Sequence, residues 1–363
     1  MPHPEQIETG TLFLQHTLAK PAGGSAEPAT HSKRILELDG VRAIAILAVF
    51  IHHSLNVPLL WMGVDAFFVL SGFLITGILL RVKERNRNNY FRHFYSRRAR
   101  RILLPYLLAL LVSTLFFGTA WTRYWYWFAF FATNIGSAFG QYGHESLVVL
   151  WSLGVEEQFY LFWPVVILMV SEKRLFRIAC SVILFCPLLR ALATPLFSTH
   201  FPIYFLTPFR MDLLCAGAVL SIIWRKEGRA GFARMVSPAR WMIGAGLIAL
   251  LFCAKLGWLK TSSNTPASNA FIYVFGLIFS TGLIMLALGG DRFLCPFLRA
   301  PLVRFVGIIS YSMYLIHVSV ILLVREYIPS TPAIMSLIAL LVTILYAACT
   351  WYGFERRMLN SSS

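Results

Sequence analysis

From about residue 36 onwards the chain is a succession of long apolar runs separated by short polar stretches. A helix needs ~20 apolar residues to cross the hydrocarbon layer of a bilayer, where every backbone polar group must be satisfied within the protein. This pattern excludes an ordinary soluble domain and implies an all-α polytopic membrane protein. Ten crossings are expected, near 40–57, 63–80, 102–120, 149–170, 177–195, 204–224, 241–259, 271–288, 305–325 and 333–352. The segment 121–140, WTRYWYWFAFFATNIGSAFG, is dense in Trp and Tyr. It suits an interfacial or re-entrant element, with an eleventh crossing as the alternative.

Charge placement sets the orientation. The 32 Lys and Arg outnumber the 16 Asp and Glu, a formal net charge of +16. In a soluble protein such a surplus suggests nucleic acid. Here loop 81–101, RVKERNRNNYFRHFYSRRARR, carries nine basic residues and must be cytoplasmic by the positive-inside rule. With ten crossings, SEKRLFR at 171–177, the loops 225–240 and 289–304 and the terminal ERRMLNSSS share that side. The opposite loops 58–62, 196–203, 260–270 and 326–332 contain only Lys260 and Glu326 as charges. Both termini are therefore expected in the cytoplasm, and no nucleic-acid partner is needed to explain the surplus. Residues 1–35 read as a flexible cytoplasmic tail rather than a signal peptide. Residues 36–357 form one transmembrane domain, and 358–363 a short cytoplasmic tail.

The six cysteines, at 180, 186, 215, 253, 295 and 349, show neither CxxC pairs nor zinc-type spacing. They read as small buried hydrophobes, with no metal site.

Ionisable residues inside crossings cost roughly 2.5–3.5 kcal/mol each on insertion scales, so each is a functional candidate. Arg42 and His53 lie eleven residues apart in the first crossing. In a helix that is about 16 Å along the axis and within about 20° of one face. Asp65 and the Ser71-Gly72 pair, the latter suited to close helix packing, fall in the second crossing, and Glu156 and Glu157 in the fourth. Arg210 and Asp212, two residues apart, read as a pair in the sixth, and His317 belongs to the ninth. Apart from Arg42, expected near the cytoplasmic end, these groups are expected in the outer half of the membrane, at least some around one hydrated cavity. A histidine beside a carboxylate suits general base catalysis and equally suits a proton relay in a transporter. The residues alone leave that choice open.

The segments LDGVRAIAILAVFIHH, GVDAFFVLSGFLI, RRARRILLPY, WSLGVEEQFYLFWP, FRMDLLCAG, SYSMYLIH and YGFER follow one another between about 36 and 357. Together they resemble the membrane acyltransferase-3 family. The resemblance implies ten crossings and an enzyme of a bacterial inner membrane. It implies transfer of an acyl group, most often acetyl, from cytoplasmic acyl-CoA to a hydroxyl of a glycan, lipid or antibiotic, with no permanently bound cofactor. It makes His53 the general base, or a nucleophile that is transiently acylated, and places Arg42 on the CoA phosphates with Arg97, Arg98, Arg100 and Arg101 in support. Glu156 or Glu157 supplies the acidic motif; they differ by ~100° of helix, so only one need face the cavity. Asp65 buttresses the site or binds acceptor, and Arg210, Asp212, Tyr311 and His317 are substrate-side candidates. No hydrolase-like domain is expected after the last crossing, so that the acceptor enters the membrane cavity or a partner protein completes the transfer. Transport or flipping of a lipid-linked sugar is the alternative that uses the same charges.

Overall fold

The structure is a computed structural model that describes residues 35–85, 90–257, 259 and 264–360; the tails expected at 1–35 and 358–363 fall largely outside these. Among the described residues, ten helices of 19 to 28 residues dominate, and no strand occurs. They are α1 (Glu37–Leu55), α2 (Gly63–Arg85), α3 (Tyr90–Phe117), α4 (Trp151–Met169), α5 (Glu172–Ala193), α6 (Met211–Arg234), α7 (Val236–Lys255), α8 (Pro266–Gly289), α9 (Pro301–Tyr327) and α10 (Pro332–Thr350). Eight of these are long and apolar enough to cross a membrane by length and composition. The other two, α4 and α6, have the length but carry Glu156 and Glu157, or Asp212 and the Arg225-Lys226-Glu227 run. The stretch 121–140 is broken into short helices at Ala120–Tyr124, Trp125–Ala129 and Thr133–Ala138. None has the ~20 residues that a crossing requires.

Local chemistry sets the helix ends. Prolines at the first position of α8, α9 and α10 have the fixed φ that a helix start needs and lack the N–H that would go unpaired there. Thr265 and Thr331 cap α8 and α10 by accepting the N–H groups of Ser268 and Ile334. Gly290, at φ 77°, closes α8 in the left-handed region open to glycine. Inside α4, Pro164 cannot donate to the carbonyl of Tyr160 four residues back. The Tyr95 hydroxyl donates to that carbonyl at 3.3 Å instead, and ties α3 to α4.

Contacts at the helix ends show that the long helices alternate in direction. At one end Glu37, from the start of α1, binds Arg229 near the end of α6 and Arg299 just before α9. Lys83, ending α2, donates to the Ile167 and Val170 carbonyls that end α4, at 2.7 and 2.8 Å. Arg225 of α6 pairs with Glu84 and Glu172 at this same end. At the opposite end Arg325 of α9 donates to the carbonyls of His53 and Ser54, where α1 finishes. We call these the basic end and the far end.

Helices α2 and α9 form the centre, with 78% of each apolar span buried, against 17–22% for α5, α7 and α10. The peripheral helices expose leucines at four-residue spacing, such as Leu337, Leu341 and Leu345 on α10 and Leu184, Leu188 and Leu192 on α5. An outward apolar stripe is what a lipid solvent favours. At the centre, glycine permits close backbone approach: a Cβ on Gly72 of α2 would strike the Leu214 carbonyl of α6, and one on Gly217 of α6 would strike Val69 of α2. The packing expected of Ser71-Gly72 is present.

Candidate functional site

The ionisable residues singled out in the sequence fall into three separate places. The first is a cavity of about 360 Å³ at the basic end. Arg42 of α1 and Arg98, Arg100 and Arg101 of α3 line it, together with Arg81 and Arg225. Asp39, Glu156 and Glu355 are the acidic residues on its wall, so its balance is basic. Arg42 keeps its buried Nε without a hydrogen-bond partner. The side chain of Arg97 lies outside the described residues.

Between its charged groups the cavity is apolar, with Leu38, Phe67, Phe73 and Ile78 on its surface. Of the two adjacent glutamates, Glu156 faces this space. Its Oε2 accepts the Tyr160 hydroxyl at 3.0 Å, and that hydroxyl is also in hydrogen-bond contact with Ser71. Glu157 instead pairs with Arg98 at 3.4 Å, and the Arg98 guanidinium lies over the Tyr160 ring. Tyr311 lines the cavity and donates to the Ile102 carbonyl, in the helical turn that Pro105 interrupts. Past Thr350 the chain continues in a π-helical turn, Trp351–Glu355, which sets Glu355 on the wall, where it accepts from Ser312 at 2.6 Å. Such turns gather at functional sites.

The second place is the far half of α1. His53 is half-buried, with its ring centroid 5.2 Å from that of fully buried His317 and 5.0 Å from that of His52. Nδ1 of His317 is 2.7 Å from the Tyr314 carbonyl, an acceptor only, so Nδ1 carries the proton. Nε2 is left as an acceptor, and it is buried with no partner. Tyr314 links the two places. It lines the basic cavity, lies 5.5 Å from the His317 ring, and is fixed by Ser152, whose hydroxyl donates to its oxygen at 2.7 Å. Among the described residues the ring neighbours of His53 are His52 and His317, and no salt bridge joins it to a carboxylate. Glu156 and Glu157 sit with the arginines of the first cavity.

The third place is sealed. Asp65 of α2 is fully buried and forms a salt bridge with Arg210, while Asp212 of α6 is bridged by Arg190 of α5 at 2.8 Å. The expected Arg210–Asp212 pair does not form, because residues two apart at a helix start point to different sides. Each turns to another helix. The rings of Tyr273, Tyr204, Phe68, Trp151 and Trp61 surround the Arg210 guanidinium at 4.7 to 5.8 Å from their centroids. None of these four charged residues borders the basic cavity. The ionisable groups thus divide by the helix face each occupies: Arg42 and Glu156 line the basic cavity, His53 meets His317, and Asp65, Arg210 and Asp212 lie in the sealed cluster.

Arg190 was missed in the sequence, although an arginine within FCPLLRALATP, inside an expected crossing, is the same signal that marked Arg210. The serine and tyrosine members of the cavity carry no such signal. All six cysteines are free.

The Acyltransferase domain family matches residues 35–352. The chain belongs to this acyltransferase family. It is 31% identical to a peptidoglycan O-acetyltransferase, OatA, of Listeria monocytogenes, over 80% of this chain and 50% of that protein. It is 30% identical to a Bacillus subtilis protein provisionally named peptidoglycan O-acetyltransferase YrhL, over 81% of this chain and 49% of that protein. A provisionally named O-acetyltransferase of Staphylococcus aureus is 28% identical over 88% of this chain and 56% of its own length. The chain thus spans about half the length of the curated relatives it matches. No solved structure matches it. With its apolar helices and bacterial relatives, this family member is a multi-pass protein of a bacterial cell membrane.

Proposed function

We propose that this acyltransferase-family chain moves an acyl group, acetyl in the first instance, from acyl-CoA to a hydroxyl of a glycan. The observation that carries this reading is the basic cavity, whose inner wall includes Tyr314, one ring contact from His317 and two from His53. The excess of arginine at that end makes it cytoplasmic by the positive-inside rule, and ten crossings then return both ends of the domain to that side. CoA is a polyanion on a long, largely neutral arm. Arg42, Arg98 and Arg101 suit its phosphates, since guanidinium makes bidentate, charge-assisted bonds. The apolar stretch of wall suits the arm, and Tyr314 stands where the arm must pass to reach His53. The relatives' names support O-acetylation and favour a cell-wall glycan as acceptor.

In this reading His53 removes the proton from the acceptor hydroxyl as the oxygen attacks the thioester carbonyl. The new C–O bond forms, the C–S bond breaks, and the CoA thiolate leaves towards the basic end, taking up a proton. Protonated His53 needs an acceptor for its second N–H. The unpartnered Nε2 of His317, whose ring centroid lies 5.2 Å from that of His53, is the acceptor this reading assigns to it, in the role a carboxylate has in a catalytic triad. Glu156, Tyr160 and Ser71 form a polar wall beside the donor, and the sealed Asp65–Arg210 cluster holds the helices in place.

The test is transfer of labelled acetyl from acetyl-CoA to acceptor in membrane vesicles. His53→Ala is expected to lower it by about 10²–10⁴-fold, the usual worth of a general base, with the thermal midpoint unchanged. Full transfer by His53→Ala overturns the role of His53. Movement of a saccharide across the membrane without CoA release overturns acyl transfer in favour of transport.

A further inference from the structure

A second cavity, of about 240 Å³, opens at the far end where α1 and α9 finish and α10 begins. Ser54, Asn56, Arg325, Met335 and Ser336 are on its wall. We propose that it binds the anionic group, carboxylate or phosphate, of the saccharide acceptor through Arg325. This deepens the acyl-transfer reading and rests on it for the word acceptor.

Three observations converge on Arg325. Its guanidinium is held in place: Nη2 donates to the carbonyls of His53 and Ser54, both at 2.9 Å. Those bonds use one nitrogen, and the side chain remains exposed on the cavity wall with donors to spare. Among the described residues no carboxylate forms a salt bridge with it, whereas arginines at the basic end meet acids repeatedly. Its position also runs against the orientation of the molecule, because a cation at the translocated end opposes the positive-inside rule. A fixed, unneutralised guanidinium at the charge-poor end fits an anion supplied from outside the chain.

The surroundings fit the rest of a sugar. The hydroxyls of Ser54 and Ser336 meet at 2.8 Å, and Asn56 sits in the left-handed turn that ends α1. These groups donate to and accept from hydroxyls without adding charge. Arg325 bonds the carbonyl of His53, and Ser54 on the cavity wall is the next residue in the chain, so an acceptor anchored there by its anionic group lies at the same end of α1 as His53. In the sequence Arg325 closes the expected ninth crossing, where a basic residue resembles a simple helix end.

The test is calorimetric titration of the purified full chain, without acyl-CoA. The probes are a disaccharide bearing one carboxylate, its carboxyl-reduced neutral counterpart, and the phosphate ester of the same sugar. The wild type is expected to bind at least one anionic probe about tenfold or more tightly than the neutral one, a difference of about 1.4 kcal/mol; the tighter anion identifies carboxylate or phosphate. Arg325→Gln should abolish the preference and Arg325→Lys keep most of it, both at an unchanged thermal midpoint. Equal binding of charged and neutral probes by the wild type, or a preference that survives Arg325→Gln, overturns the proposal. So does a fall in thermal midpoint that Arg325→Lys fails to restore, accompanied by no change in preference, since Arg325 would then only cap α1. Anion preference without acetyl transfer in vesicles refutes the acyl-transfer reading alone; transfer without anion preference refutes this site alone.

Discussion

Two groups of charges lie inside the helical bundle and behave in opposite ways. The Asp65–Arg210 and Asp212–Arg190 pairs are fully buried, joined acid to base, and walled by aromatic rings. The arginines of the basic cavity line open space and outnumber the three acids on its wall, and among the described residues no salt bridge joins Arg42, Arg100 or Arg101 to a carboxylate. Both groups look alike in sequence, as polar interruptions of apolar runs. The difference lies in how each charge is balanced. A charge neutralised by the protein holds helices together, while a charge left for something else to neutralise marks where a ligand belongs.

The comparison breaks most visibly at Asp65. Removing one partner of a buried ion pair strands the other, at a cost of about 3–5 kcal/mol. Asp65→Asn is therefore expected to lower the thermal midpoint and the yield of folded protein, with acetyl transfer per folded molecule largely kept. Normal stability with abolished transfer would move Asp65 into the chemistry. Next is Gly276 of α8, where a Cβ would run into the Asp65 carboxylate. Gly276→Ala should cost about 1–3 kcal/mol, as overpacking does, and the loss should shrink in an Asp65→Ala background. Additive effects of the two changes would mean that they do not share a site.

The smallest effect sharpens the comparison from outside the membrane, at the basic end. Asp291 accepts the N–H groups of Phe293 and Leu294, both at 2.9 Å, and is bound by Arg240. Burial works against its charge, but the Leu294 and Phe293 N–H groups and Arg240 outweigh it and hold the carboxyl below the usual aspartate range. A depressed value means that its stabilisation is present above the unfolded value of ~3.9 and is lost as pH falls through the lower folded value. Asp291→Asn should cost about 1 kcal/mol at neutral pH and flatten the acid limb of the thermal midpoint against pH. An unchanged acid limb would assign that stabilisation elsewhere.

Much of the fold was legible because lipid imposes a single rule on every segment. Each expected crossing coincides with a long helix, and the Trp-rich 121–140 segment breaks into short helices, as an interfacial element would. The site was legible only in part. Arg42, Arg98, Arg101, Glu156 and Tyr311 share one cavity, and His53 meets His317. Apolar periodicity marks which residues are embedded; it does not say which helix lies opposite. Hence Arg210 was paired with its neighbour in sequence rather than with Asp65, 145 residues away, and Arg190 was overlooked as the partner of Asp212. Ser71, Ser152 and Tyr160 were beyond reach for the same reason, since only the packing of α2, α4 and α9 gives their hydroxyls a role.

The central claim is that Arg42 and Arg101, on the wall of the basic cavity, bind a polyanionic donor. The direct measurement is titration of the purified protein with a non-transferable acetyl-CoA analogue, comparing wild type with Arg42→Ala at matched folded fraction. The account predicts saturable binding that weakens about tenfold or more in Arg42→Ala, with the thermal midpoint unmoved. Equal affinity in the two proteins would contradict it.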